Sequence, residues 1–297
     1  MPMNVRIVGA YALMCGIWGT TWLAIKIGLQ GLPPVSGAGI RFLIAGLFLA
    51  SLGALAGPRR GTAPPLSLIL TLAVAMFGGN YALTYYAETG LSSGLVAVLF
   101  GTLPFFVFGL GAVMLGERAT LSTLVGAVLA LAGVSIISLG GDVHGGAWFA
   151  AATLGASLLS AYANVYLRRH AASDPFATLA PAMLLAGAVM TISGVVFERP
   201  DWHAALATRS VLAVLYLAIM GSGIAFYLNH WLLQRLESWV VGLSALVIPI
   251  IAVAVGIAFG GETFGFRDVV GAALVVGGVA FALRRERSPE PIEVRSS

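Results

Sequence analysis

One stretch of this chain occurs twice, and the distance between the copies is constant. Pro104, Gly111, Gly116-Glu117, Val125-Gly126-Ala127, Leu129 and Gly133-Val134 recur 145 residues later, without a gap, as Pro249, Gly256, Gly261-Glu262, Val270-Gly271-Ala272, Leu274 and Gly278-Val279. Agreement of that length marks an internal duplication. Each copy reads as an apolar segment interrupted by a proline, a Gly-Glu turn, and a second apolar segment studded with glycine. The chain therefore divides into a first repeat over 1–140, a second over 141–283, and a basic tail over 284–297 whose Pro289 and Pro291 suit disorder.

The medium in which such segments fold follows from how little charge they carry. Hydrophobic residues make up 59% of the chain and charged residues 9%, against about 45–50% and about 25% in soluble domains. That mixture cannot cover a water-facing surface, so an all-α integral membrane protein is expected. Ten apolar runs are long enough to span a bilayer: 7–27, 35–56, 66–88, 92–115, 121–139, 147–168, 175–197, 210–234, 238–259 and 266–283. The connections are short, and none can fold as a soluble domain. Cys15 is the sole cysteine, which excludes an intrachain disulfide and a cysteine cluster. The first run continues into Trp-rich sequence with no small-residue cleavage site, so it reads as a retained span rather than a signal peptide.

Basic residues orient the spans. With the N-terminus inside, eleven arginines fall on cytoplasmic segments, while Lys26, Arg41, Arg199, Arg209 and Arg267 fall on the other side. Both termini are then cytoplasmic. The net charge of +4 belongs to this pattern rather than to a nucleic-acid surface. Because five is odd, the second repeat crosses the membrane upside down, with Glu117 at the inner face and Glu262 at the outer. Ten transmembrane helices in two inverted five-helix repeats around a central cavity is the architecture secondary transporters use.

Polar and aromatic side chains inside spans need a reason. Tyr81, Thr84, Tyr85 and Glu88 fall on one helical face of the third span, and their repeat mates Phe226, Asn229, His230 and Leu233 do so in the eighth. Such paired stripes line a cavity or serve as packing surfaces. In the first span Trp18, Thr21 and Trp22 share a face with Lys26 one turn on; Trp22 and Lys26 are either an interfacial belt with a snorkelling cation or part of a site. In the sixth, Ser157, Ser160 and Asn164 oppose Tyr162 and Tyr166, and the amide face is the better inward candidate because an amide in lipid needs a partner. Arg41 either meets carbonyls, snorkels outward, or receives an anionic group of a substrate. Pro104 and Pro249 are candidate hinges, each removing a helical hydrogen bond.

Catalysis finds no support. His144, His170, His203 and His230 are far apart with no ligand spacing, and neither a Gly-x-Ser-x-Gly turn nor a Gly-rich phosphate loop is present. No cofactor and no metal are expected.

Trp18-Gly19-Thr20-Thr21-Trp22 leading to Lys26, Arg41-Phe42, and the twice-written Pro…Gly-Glu…Gly-Ala…Gly-Val pattern together resemble the drug/metabolite transporter superfamily. The likeness is to its ten-span EamA-type members, most of all YddG-type amino-acid exporters, over roughly 5–283. It implies a bacterial inner-membrane protein, monomeric among its lipids, with spans 1, 3, 4, 6, 8 and 9 around a cavity that opens alternately to each side. Its small-molecule substrates would be amino acids, aromatic ones included. The substrate-binding residues expected are Trp18, Trp22, Tyr81, Thr84, Tyr85, Asn164, Phe226, Asn229 and His230, with Lys26 or Arg41 for a substrate carboxylate. Efflux of drugs or nucleoside-like metabolites, and a membrane scaffold without transport, remain as alternatives. The second half departs from the first in having Tyr162-Ala163 where the first has Trp-Gly, and no matching arginine, with Met183 or Ala182 there.

All twelve acidic residues, from Glu88 to Glu293, read as loop, span-end or tail residues. A carrier without buried carboxylates lacks the usual proton relay, so movement down the substrate gradient is expected, with His230 as the one titratable exception.

Overall fold

The computed structural model describes residues 5–57, 61–115, 121–139, 146–170, 172–236, 241 and 244–284. Glu117, Asp142 and the tail beyond Arg284 lie outside them. The described chain is helical throughout, its one β-bridge joining Thr62 to Ser173. This is what an apolar environment demands, since a backbone without water must satisfy its own hydrogen bonds. The helices are α1 (Val5–Gly28), α2 (Pro34–Leu55), α3 (Leu66–Gly90), α4 (Ser93–Phe100), α5 (Leu103–Leu115), α6 (Leu121–Leu139), α7 (Gly146–Arg169), α8 (Pro175–Glu198), the single turn α9 (Trp202–Ala205), α10 (Thr208–Leu233), α11 (Ser244–Gly260) and α12 (Phe266–Arg284). Among the described residues six segments are long and apolar enough to cross a membrane: α1, α2, α3, Ser93–Gly111, α8 and α10.

The duplication is visible in local geometry. Leu72–Gly79 of α3 and Leu217–Ile224 of α10 are both π-helical, eight residues each, and they lie at the repeat offset. A π-segment marks a register change in the hydrogen-bond ladder and is frequent where helices carry function. Packing follows the same rule. α2 lies along α8, α6 along α12, and α4 along α11, each helix against its own repeat mate. The remaining large contacts exchange under the repeat: α1 packs on α10 and α11, and α7 packs on α3 and α5.

Glycine sets the closest approaches. A methyl on Gly278 would sit 2.5 Å from the Gly126 carbonyl, and one on Gly133 would run into the Gly271 carbonyl. α6 and α12 thus cross antiparallel at repeat-related glycines. The α2–α8 crossing has the same direction: a methyl on Gly46 would reach 2.7 Å from Leu184 Cγ, and one on Gly187 would lie 2.5 Å from the Leu43 amide nitrogen. Contacts this close let backbones pack where lipid supplies little hydrophobic drive.

Helix ends are tied across long sequence distances. The Glu198 carboxylate accepts from the Val35 and Ser36 amides at 2.9 and 2.8 Å, covering the start of α2. Glu262 does the same for α4, accepting from Ser93 N at 2.7 Å and Gly94 N at 3.2 Å. These satisfy amide groups left orphaned at a helix N-terminus and favour negative charge there.

The two prolines, expected to kink their helices alike, sit in different surroundings. Around Pro104 the helix stops at Phe100, turns through Gly101-Thr102 and resumes as α5, with Pro104 in its first turn. Pro249 lies inside the continuous α11. Leu246-Val247 stand where the first half has Gly101-Thr102, so the second copy lacks the small, turn-forming residues that open the first.

Candidate functional site

Directly after its π-segment, α3 turns a face toward α2 and α10, and an aromatic cluster forms there. The Tyr81 ring stands edge-on to Phe42 at 4.8 Å and 6.4 Å from Phe226. Phe226 meets Phe77 at 5.1 Å and Trp18 at 5.4 Å, both edge-to-face, and Phe42 meets Phe77 at 5.2 Å. Four helices, α1, α2, α3 and α10, each contribute a ring. Trp18 also ties into the second π-segment, its indole N–H donating to the Gly221 carbonyl at 3.3 Å.

Arg41 lies under these rings, 1% exposed. Its guanidinium carbon is 4.7 Å from the Tyr81 ring centre and 5.4 Å from that of Phe42. Nε donates to Ser222 Oγ at 2.7 Å, within the α10 π-segment, and Nη1 reaches the Tyr85 hydroxyl at a long 3.5 Å. Its partners are hydroxyls and rings rather than a carboxylate. A guanidinium presents five donors in a planar fork that matches a carboxylate, and ring faces stabilise it by about 2 kcal/mol where water is excluded. The arrangement holds a cation in an apolar interior without neutralising it.

Of the residues singled out from sequence, Trp18, Tyr81, Tyr85, Phe226 and Arg41 come together here. Trp18, Tyr81 and Asn164 keep part of their surface accessible, while Thr84, Tyr85, Phe226, Asn229 and His230 are buried. Thr84 donates to Asn80 Oδ1 at 3.3 Å within α3. Asn164 is bonded within α7, to the Ser160 carbonyl at 2.9 Å, and the opposite residue Tyr162 is exposed. Trp22 is buried against Phe100 and the small residues of α3 and α4, not in an interfacial belt. The Lys26 ammonium donates to the Glu88 and Leu91 carbonyls at 2.6 and 2.8 Å, closing the C-terminal end of α3.

Three participants were not among the expected site residues. Phe77 is an apolar residue in an apolar chain and carries no signal of its own, and Phe42 entered only beside Arg41 in the family resemblance. Ser222 lies between Gly221 and Gly223, a flexible point of the eighth span. One expectation needs correction. Glu88 does lie in the last turn of its span, but it is 0% exposed and neither carboxylate oxygen has a hydrogen-bond partner among the described residues. A position near a span end does not make a side chain wet when neighbouring helices pack over it.

Comparison with known proteins agrees with this picture. The EamA-like transporter family model matches the chain twice, over residues 7–139 and 147–284. The chain is 32% identical to the inner membrane transporter YedA of Escherichia coli over 259 residues, 86% of this chain and 83% of that protein. It is 26% identical to a probable amino-acid metabolite efflux pump of Salmonella typhimurium over 279 residues, 90% of this chain and 91% of the pump. A solved crystal structure superposes with a TM-score of 0.70 at 22% identity, covering 96% of this chain and all of the other; that likeness concerns the fold.

Proposed function

The chain belongs to the EamA-like transporter family, and from that premise we propose that it exports amino acids, aromatic ones included, across the bacterial inner membrane. Ten helices in two inverted repeats, both termini cytoplasmic, alternate access to the space between them. The antiparallel crossings of α2 with α8 and α6 with α12 support the inversion, because a two-fold axis relating antiparallel mates runs perpendicular to both helices. Relatives named as an inner membrane transporter and an amino-acid efflux pump support the location and substrate class.

The observation that carries the substrate reading is Arg41, buried between Tyr81, Phe42, Tyr85 and Ser222 with no carboxylate bonded to it among the described residues. A substrate carboxylate supplies that missing charge, and the rings of Trp18, Tyr81 and Phe226 receive an apolar or aromatic side chain. Drug efflux fits less well, since cationic compounds would face the guanidinium. Asn164, Asn229, Thr84 and His230 serve as polar lining, Trp22 and Lys26 as support, and Pro104 and Pro249 as hinges.

The test is counterflow in proteoliposomes loaded with labelled phenylalanine. Unlabelled phenylalanine outside accelerates efflux, and phenethylamine, which lacks the carboxylate, does not. Equal stimulation by both removes the role of Arg41, and no phenylalanine movement with retained flux of a nucleoside or drug favours the alternative. Purely passive movement rests on the interior having no carboxylate, and Glu88 withdraws that support.

A further inference from the structure

We propose that the corner between α3 and α4 holds a second site on the transport path, one that takes the zwitterionic head of an amino acid and is filled in this structure by the carboxylate of Glu262. The site rests on the export reading above and deepens it, using residues outside the aromatic cluster.

A carboxylate already sits there. Glu262, from the segment between α11 and α12, accepts from the Ser93 amide at 2.7 Å and the Gly94 amide at 3.2 Å, at the start of α4. Gly256 keeps its place open: a methyl there would run into Glu262 Oε2 and lie 3.5 Å from Ser93 Oγ. That hydroxyl belongs to a fully buried residue and has no partner among the described residues. Lys26 brings positive charge to the same corner. Its ammonium spends two of three N–H groups on the Glu88 and Leu91 carbonyls, just before Ser93, and keeps the third. Trp22, packed with Val96 and Ala97 of α4, adds an indole N–H that is also buried and unpartnered among the described residues. Aligned amides at a helix start, a hydroxyl and an ammonium are the elements of an anion-binding site.

The second charge of an amino acid has a counterpart too. Glu88 lies within electrostatic reach of Lys26 and Glu262, is fully buried, and has neither carboxylate oxygen bonded among the described residues. The ammonium of an amino acid is joined to its carboxylate through a single carbon, so it meets Glu88 when that carboxylate takes the place of Glu262. An amine alone has nothing with which to displace Glu262, and a carboxylate alone leaves Glu88 unanswered. Tethering makes Glu262 a strong competitor, at an effective concentration of about millimolar, so the corner stays shut when substrate is scarce. Substrate that displaces it also undoes the tie between α4 and the second repeat, and the helix break at Gly101-Thr102 lets α4 move apart from α5. A ligand favours the arrangement that it binds better, so binding at this corner and opening of this end are one event.

The test turns on the sign of one mutation. Counterflow of labelled phenylalanine is measured with unlabelled phenylalanine supplied to each face of the membrane in turn. Glu262→Gln keeps the shape and loses the charge, and it should lower the half-saturating concentration about tenfold at one face, the worth of a charge-assisted bond, and leave the other face unchanged. Loss of a merely structural tie would raise it or shift both faces alike. Glu88→Gln should shrink the preference for phenylalanine over phenylpropionate, which lacks the amine, by about tenfold, and Glu88→Asp, which keeps the charge and controls for folding, should retain it. Glu198→Gln, which weakens the corresponding cap of α2, should do neither. A half-saturating concentration that stays or rises in Glu262→Gln, a change at both faces, or a preference unaltered in Glu88→Gln overturns the proposal. A wild type that moves no phenylalanine sinks the export reading, and binding then judges the site: the phenylalanine needed to stabilise the purified protein against heating should fall in Glu262→Gln by the same factor, and an equal requirement overturns the site.

Discussion

The two halves share a scaffold and differ in chemistry. Tyr81, Thr84, Tyr85 and Glu88 of α3 correspond to Phe226, Asn229, His230 and Leu233 of α10, each stripe following a π-segment at the same place. Among the described residues the first half holds a guanidinium and a carboxylate at 1% and 0% exposure, Arg41 and Glu88, while the buried carboxylate of the second half is Asp174, which caps the start of α8. α8, the mate of α2, has no charged residue before Glu198, and Leu233 stands where Glu88 does. The break in the helix ladder before Pro104 is also confined to the first half. The duplication thus preserved what holds two halves together, small residues at crossings and register changes in α3 and α10, and left the charged groups free to diverge. A symmetric frame suffices for two-sided access; recognition of an asymmetric molecule does not need, and would not be served by, symmetric charges.

The comparison breaks first where the scaffold is supposed to be symmetric. Gly133→Leu and Gly278→Leu should each destabilise the protein by about 3 kcal/mol, because the added atoms meet a backbone carbonyl that cannot move aside. Gly277→Leu, with nothing within 4 Å of the position, should be silent. Thermal unfolding in detergent reads all three, and unequal losses at Gly133 and Gly278 would mean the halves are not mechanically alike. On the chemical side, Arg41→Ala should lower transport by about tenfold to a hundredfold, the worth of a charge-assisted bond to a carboxylate, with the folded fraction checked by gel filtration. The prolines sharpen the contrast. Pro249→Ala restores a hydrogen bond inside a continuous helix and should stabilise by about 1 kcal/mol, whereas Pro104→Ala, in a first turn that tolerates proline, should stay within about 0.5 kcal/mol. A loss of similarly small size is expected at Thr20, whose hydroxyl lies 2.5 Å from that of Tyr216. Thr20→Val keeps the shape of the side chain and removes that hydroxyl, at about 0.6 kcal/mol.

How far these features could be read beforehand depends on the range of the interactions that make them. The duplication, the apolar segments and the aromatic stripe of α3 are local patterns, and helical periodicity places Tyr81 and Tyr85 on one face without further information. The π-segments were not legible: Gly78-Gly79 and Gly221-Ser222-Gly223 lie in them, but a π-segment is a choice of ladder that neighbours decide. The bonds of Lys26 were hidden for a different reason: its acceptors are 62 and 65 residues away, and a lysine near a span end looks the same whether it snorkels or caps. The same holds for Glu262, whose amides lie 169 and 168 residues back. Glu88 is the clearest case, since what buries it is the packing of other helices, of which its own segment says nothing.

The helices that pack on their own repeat mates have a use for anyone who watches this protein move. In a carrier whose two end states differ by exchanging the conformations of its halves, the separation between a residue and its repeat mate, 145 positions on in α6 and α12, is the same number in both states. Spin labels or fluorophores at Leu129 and Leu274, on either side of the α6–α12 crossing, therefore form a ruler that does not change length through the cycle. A pair such as Leu129 with a position on α7 has no such protection. The duplicated chain supplies its own internal standard for telling a genuine exchange of conformations from a loosening of the whole bundle.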